Sequence, residues 1–173
     1  NLFNDPEIIS IPSFLRYPLA KLISKRRAPI AKNIYKEIGN KSPIFELTKD
    51  QANSLQNSLL KKGNYKCFVV MRCWHPRAVD VIKEVKKYNP EEIILLPLYP
   101  QFSAATSGSS INEWNDLCKK ENFNIRTKII CCYPTESNFV KSHANLIIQT
   151  VKNIESKNFK LLFSAHGLPE IKI

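Results

Sequence analysis

Apolar positions along this chain fall into two alternating rhythms. Short unbroken runs occur at Lys66–Met71, Glu92–Leu96, Arg126–Cys131 and Lys160–Phe163. Between them lie longer stretches in which apolar residues recur every three or four positions. Ala78–Tyr88 places Val79, Ile82 and Val85 at that spacing, and Ser109–Lys120 does the same with Ile111, Trp114 and Leu117. Ser137–Ile154 carries Phe139, Val140, Leu146, Ile147, Val151 and Ile154. The runs predict strands and the spaced stretches predict helices. Strand and helix alternating at a period of roughly 30 residues is the pattern of βαβ units. Strands that are apolar throughout suit a sheet covered on both faces. The expected fold class is therefore α/β: a doubly wound parallel sheet with helices on both faces.

The chain before Lys66 reads differently. Pro12–Arg27 mixes Phe14, Leu15, Tyr17, Leu19, Leu22 and Ile23 with Arg16, Lys21, Lys25, Arg26 and Arg27, a basic and apolar helical segment. Asp50–Lys62 predicts a further helix, with Thr48 or Asp50 as N-cap and Gly63 as its stop. No repeat or low-complexity tract interrupts the pattern. At 173 residues, 43% hydrophobic and 24% charged, one globular domain spanning 1–173 is the first expectation. Lys and Arg number 26 against 15 Asp and Glu, a formal net charge of +11. That balance favours acidic partners: nucleic acid, an anionic membrane surface, or a substrate carrying carboxylates. The lysines are dispersed and no arginine-rich tract or nucleic-acid-binding signature occurs, which argues against nucleic acid.

The five cysteines, Cys67, Cys73, Cys118, Cys131 and Cys132, are odd in number and contain no Cys-x-x-Cys pair. This argues against a disulfide framework or a zinc ribbon and predicts free thiols in a reducing compartment. No apolar run reaches the length of a membrane span. The chain opens at Asn1 without an initiator Met and stops four residues after Pro169, so it reads as a piece of a longer sequence.

The densest chemistry lies in Leu161-Leu162-Phe163-Ser164-Ala165-His166-Gly167-Leu168-Pro169. An apolar run leads straight into a histidine, and Gly167 and Pro169 force a turn behind it. In an open α/β sheet, chemistry gathers beyond the carboxyl ends of strands. Met71 and the loop from Tyr99 to Ser103 also follow predicted strands, so they share that edge with His166. The alternative for His166 is a histidine in an ordinary turn.

Four stretches together resemble the ferrochelatase family, whose members insert ferrous iron into a porphyrin. The first is Arg27-Ala28-Pro29-Ile30, then Tyr35, then Ile38-Gly39-Asn40-Lys41-Ser42-Pro43-Ile44. The second is Met71-Arg72-Cys73-Trp74-His75-Pro76. The third is Leu96-Pro97-Leu98-Tyr99-Pro100-Gln101-Phe102-Ser103, continuing through Thr106, Gly108, Ser109 and Ser110. The fourth is Phe163–Pro169. The resemblance implies that a first strand preceding Asn1 and a second α/β half after His166 belong to the family pattern and are missing here.

Metal insertion exchanges two pyrrole N–H protons for one divalent cation. It needs a metal ligand or proton acceptor, a flat apolar cleft, and cations for carboxylates. His166 fits the first need, since neutral imidazole binds first-row divalent metals and titrates near neutral pH. The resemblance makes His166 the catalytic and metal-binding residue. It makes Arg27, Tyr35, Ser42, Met71, Tyr99 and Ser103 substrate-binding residues. Each also has a plainer reading. Arg27 is a surface charge beside Arg26, Tyr35 a core or interface aromatic, and Ser42 a turn residue. His75 reads as structural, His143 as solvated, and Glu136 as an acid at a helix N-terminus rather than a carboxylate of the cleft. Cys73 departs from the tyrosine or other large residue common in the family. Glu136 and Ser137 follow Tyr133-Pro134-Thr135 where some members have a histidine.

The implied partners are a porphyrin, protoporphyrin IX or coproporphyrin, and ferrous iron as substrate metal. No organic cofactor and no nucleic acid are expected, and an iron–sulfur cluster is left open. The expected location is the cytoplasm. Segment 12–27 suits a peripheral contact with the inner membrane surface, or else an ordinary helix packed on the sheet. Three rivals remain: a related chelatase for another metal and tetrapyrrole, a non-catalytic porphyrin- or haem-binding fragment, and a basic interaction domain for nucleic acid, which gives the four motifs no role.

Overall fold

A computed structural model describes residues 2–155, 158–165 and 167. Five α-helices and two strands follow one another in the order α1 (Ser13–Lys36), α2 (Ile44–Leu59), α3 (Ala78–Tyr88), β1 (Glu92–Leu95), α4 (Ser109–Lys120), β2 (Arg126–Ile129) and α5 (Ser137–Lys152). A 3₁₀ turn at Leu2–Asn4 precedes α1, and a π-helical turn at Ala104–Gly108 leads into α4. β1 and β2 pair as a small parallel sheet. The chain divides into two compact units, 1–93 with 112–126 and 94–111 with 127–173.

The first unit holds the buried apolar residues. Ala78, Val81, Ile82 and Val85 form the inner stripe of α3, joined by Trp114 of α4 and Ala20 of α1. Positions i, i+3, i+4 and i+7 line one face of a helix, and this stripe corrects the predicted one: Val79 points outward and Val81 takes its place inside. α3 stops at Asn89, whose φ of 53° is a left-handed conformation that asparagine tolerates well. Lys86 near that end donates to the Glu121 carbonyl at 2.8 Å.

α1 runs well past its predicted end at Arg27, with Pro18 and Pro29 inside it. A proline removes one backbone bond and strains the preceding turn, but the surrounding bonds carry the helix through. α1 ends instead where Gly39 and Asn40 adopt φ of 90° and 67° and Asn40 N–H donates to the Tyr35 carbonyl at 2.7 Å. α2 starts at Ile44, before the predicted caps. The N-cap position is Pro43, which makes no side-chain cap bond, and Ser42 Oγ just before it accepts from Ile44 N–H at 3.3 Å. α2 ends at Leu59, before Gly63.

β1 and β2 match two of the four predicted strands. Residues 66–71 and 160–163 form no ladder. The amides of the first have other partners: Cys67 N–H donates to Gln56 Oε1 at 2.8 Å and Met71 N–H to the Pro76 carbonyl at 2.8 Å. Residues Leu161–Phe163 are exposed, Leu162 at 87%. The cysteines also differ from expectation in one pair. Cys131 and Cys132 are joined by a disulfide between neighbours whose Cα atoms are 3.7 Å apart. It cross-links no loop of the chain, so it constrains the unfolded state little. Cys67, Cys73 and Cys118 are free.

In the second unit, the α5 stripe Phe139, Ile147 and Val151 is half-buried, while Val140, Leu146 and Ile148 face outward. Glu136 caps α5, its carboxylate accepting from Phe139 N–H at 2.8 Å.

Candidate functional site

In the first unit, α1 carries Arg27 and Tyr35. They stand eight residues apart, about 12 Å along the axis and about 80° around it. Both are exposed. The Arg27 guanidinium lies 5.6 Å from the centroid of the Phe3 ring, a cation–π contact between an exposed charge and the N-terminal segment. Ser42 is half-buried and its hydroxyl serves the start of α2.

Met71 is half-buried and opens a tight loop closed by its own N–H on Pro76. Arg72 and Arg77 flank that loop, and sequence reasoning did not single them out. Arg72 reaches Asp5 at 2.6 Å and Glu113 at 3.2 Å, and Arg77 reaches Glu113 at 2.8 Å. The Asp5 side chain is 4% exposed. No sequence pattern links residues so far apart, 67 positions between Asp5 and Arg72. Cys73, Trp74 and His75 at the tip of the loop are exposed, and the Trp74 and His75 rings meet edge to face at 6.0 Å.

In the second unit, Tyr99 and Ser103 share one loop. Tyr99 is exposed, whereas Ser103 is buried, its Oγ 2.7 Å from Thr106 Oγ1. The Ser103 carbonyl accepts from Thr106 and Gly108, so this serine organises the π-helical turn. Tyr133, another residue the sequence did not flag, braces the same loop. Its hydroxyl donates to the Pro97 carbonyl at 3.0 Å and its N–H to the Pro100 carbonyl at 2.9 Å. Burial raises the Tyr133 phenol above its usual pKa. Its ring stands edge-on to Phe139 at 5.6 Å, which anchors the loop to the first turn of α5. The Tyr-Pro-Thr triplet was the available signal for this residue.

Glu136 is held ionised below the usual carboxylate range, chiefly by the Phe139 N–H it accepts. Its role as a helix cap is the plainer of its two readings. His143 is exposed and its Nδ1 lies 2.9 Å from the Phe139 carbonyl. His166, the predicted catalytic and metal-binding residue, lies outside the described residues, and among the described residues no group of three His, Cys, Asp or Glu is gathered to hold a metal. No helix among them is long and apolar enough to cross a membrane.

The two-strand α/β framework, with candidate residues on α1, after residues 66–71 and after β1, defines a class: a small α/β protein. Comparison with known proteins makes this specific. The family model for ferrochelatase matches residues 1–173. A ferrochelatase of Pelagibacter ubique (strain HTCC1062) is 62% identical over 176 residues, covering 100% of this chain and 51% of the relative. One from Rickettsia bellii (strain OSU 85-389) is 46% identical over 172 residues, 98% of this chain and 47% of the relative. One from Hyphomonas neptunium (strain ATCC 15444) is 44% identical, covering 98% and 48%. The chain belongs to the ferrochelatase family. It spans about half the length of the curated relatives it matches.

Proposed function

We propose that the protein carrying this chain inserts ferrous iron into a porphyrin, protoporphyrin IX or coproporphyrin, in the terminal part of haem formation. The observation that carries this is the family match across residues 1–173 together with 62% identity to a protein named ferrochelatase. Iron remains Fe²⁺ throughout: it bonds to the four ring nitrogens, the two pyrrole N–H bonds break, two protons are released, and no electron is transferred. His166 binds the incoming metal or accepts a pyrrole proton, both of which a neutral imidazole can do. Arg27 pairs with a porphyrin carboxylate while stacked on Phe3. Tyr35, Ser42, Met71 and Tyr99 line the substrate's approach, and Ser103 acts by setting the loop that carries Tyr99.

The same reading extends to architecture and location. The whole protein is a doubly wound parallel sheet, to which this chain brings β1 and β2. It works in the cytoplasm and touches the inner membrane surface through segment 12–27. There Phe14 (74% exposed), Leu15 and Tyr17 stand out on the same segment as exposed Lys21, the pairing of apolar and basic groups that suits an anionic surface. No organic cofactor or nucleic acid is involved.

Absorbance titration with a dicarboxylic porphyrin tests this, with and without ferrous iron under anaerobic conditions, on native protein and His166→Ala. Binding plus insertion that vanishes in the variant is the expected result. Binding without insertion by the native protein would favour a porphyrin-binding module, and no binding would remove the porphyrin reading altogether.

A further inference from the structure

We propose that Asp5, Arg72, Glu113 and Arg77 form a positioning network that fixes Met71 relative to Arg27 for porphyrin binding; this rests on the reading of both as substrate-contacting residues. Its four members alternate in sign: Asp5–Arg72 at 2.6 Å, Arg72–Glu113 at 3.2 Å and Glu113–Arg77 at 2.8 Å. Two acids and two bases cancel, so the guanidinium forks are spent on protein carboxylates rather than held open for a substrate anion. Planar forks on carboxylates fix direction as well as distance.

What the network fixes is the loop that begins at Met71. Arg72 and Arg77 stand at its two ends, and its closure is the Met71 N–H bond to Pro76 at 2.8 Å. Glu113 of α4 grips both ends at once. Asp5 extends the chain into the N-terminal segment, where its N–H donates to the Leu2 carbonyl at 3.2 Å. Phe3, two residues before Asp5, lies under Arg27 at 5.6 Å. A continuous physical path therefore runs from Met71 through Arg72, Asp5 and Phe3 to Arg27, all inside the first unit. Glu113 is the one member that touches both arginines and neither candidate contact residue, so it can be changed without altering the porphyrin surface itself.

The test uses the whole protein and Glu113→Ala, with porphyrin affinity read by absorbance titration and insertion read as separate porphyrin and iron dependences. The porphyrin Kd and KM are expected to rise about tenfold, with iron KM and kcat within about twofold, the scale on which coupled residues act. Glu113→Gln, which keeps size and an acceptor oxygen, restores part of the affinity. A merely structural role would lower the melting temperature and leave the porphyrin Kd of the folded fraction unchanged; that result overturns the inference. If Glu113→Ala does not fold, Glu113→Gln and Arg77→Lys decide on the same readouts. Native protein that binds porphyrin but does not insert iron fails the proposed activity alone, and the Kd ratio still judges the network. Native protein that binds no porphyrin overturns both.

Discussion

Replacing Arg72 by methionine removes a charge while keeping most of the stem's volume. The Asp5 carboxylate, 4% exposed, then loses a partner at 2.6 Å. Stranding one member of a fully buried pair costs about 3–5 kcal/mol. Here the cost falls at the low end, about 3 kcal/mol, because Arg72 is itself 20% exposed. Two further bonds soften it: Asp5 Oδ1 keeps the Glu7 N–H at 3.0 Å, and Glu113 keeps Arg77 at 2.8 Å. Asp5→Asn is milder, about 1–2 kcal/mol, since Arg72 retains Glu113 and the amide still accepts a hydrogen bond. With both changes made, no charge is stranded at this pair, so the double variant loses less than the sum by about 1–2 kcal/mol. Urea unfolding followed by Trp114 fluorescence measures the cycle. Trp114 is buried in the first unit, and a Trp74→Phe background removes the exposed second tryptophan. A cost below about 1 kcal/mol for Arg72→Met, or additivity within about 0.5 kcal/mol, would refute the claim that this pair is coupled and buried.

Three other outcomes are expected. Glu136 is depressed in the folded state by the Phe139 N–H it accepts, so it favours folding above the unfolded carboxylate pKa. That contribution disappears as pH falls through the lowered value. Urea melts from pH 7 to pH 2 on native protein and Glu136→Gln should converge at the acidic end, and a gap that persists there contradicts the cap. Ile82, fully buried, should cost about 2–5 kcal/mol on truncation to alanine and about 1 kcal/mol to valine, measured by chemical unfolding; equal effects of the two would show a loose site. Burial raises the thiol pKa of Cys67 and of Cys118, so at pH 7.5 iodoacetamide should label exposed Cys73 first, and mass mapping that finds Cys67 modified earliest contradicts the placement.

The helices of this chain were more legible than its sheet. α3 and α4 have the bounds that spacing predicts, because each has a strong apolar stripe and an end marked by asparagine or lysine. The inner face of α3 was misread at one residue, since Val79 and Val81 are equally apolar and only packing chooses between them. The predicted helix ended at Arg27 because the mixed apolar and basic pattern ends there; α1 continues to Lys36 through Pro29, which no local signal marks. The apolar run at 66–71 looked like a strand, yet a strand exists only where another strand offers its edge, and the Cys67 and Met71 amides bond elsewhere. Of the candidate site, loop residues Met71 and Tyr99 were visible as motif positions. The supports Asp5 and Glu113 were not, since they act across long sequence separations that no local pattern encodes, and Tyr133 was marked only by its Tyr-Pro-Thr triplet.

The small sheet has a practical consequence. Among the described residues each of its strands has a neighbour on one side only, so in this chain taken by itself, without the further strands proposed for the whole protein, the open edges are a template for another copy. Of the eight ladder residues, Glu92, Arg126 and Lys128 are charged, with Glu92 and Arg126 paired at 3.0 Å. These act as gatekeepers against edge-to-edge stacking. Neutralising them in a solubility screen is the change most apt to turn a well-behaved preparation into a fibrous one.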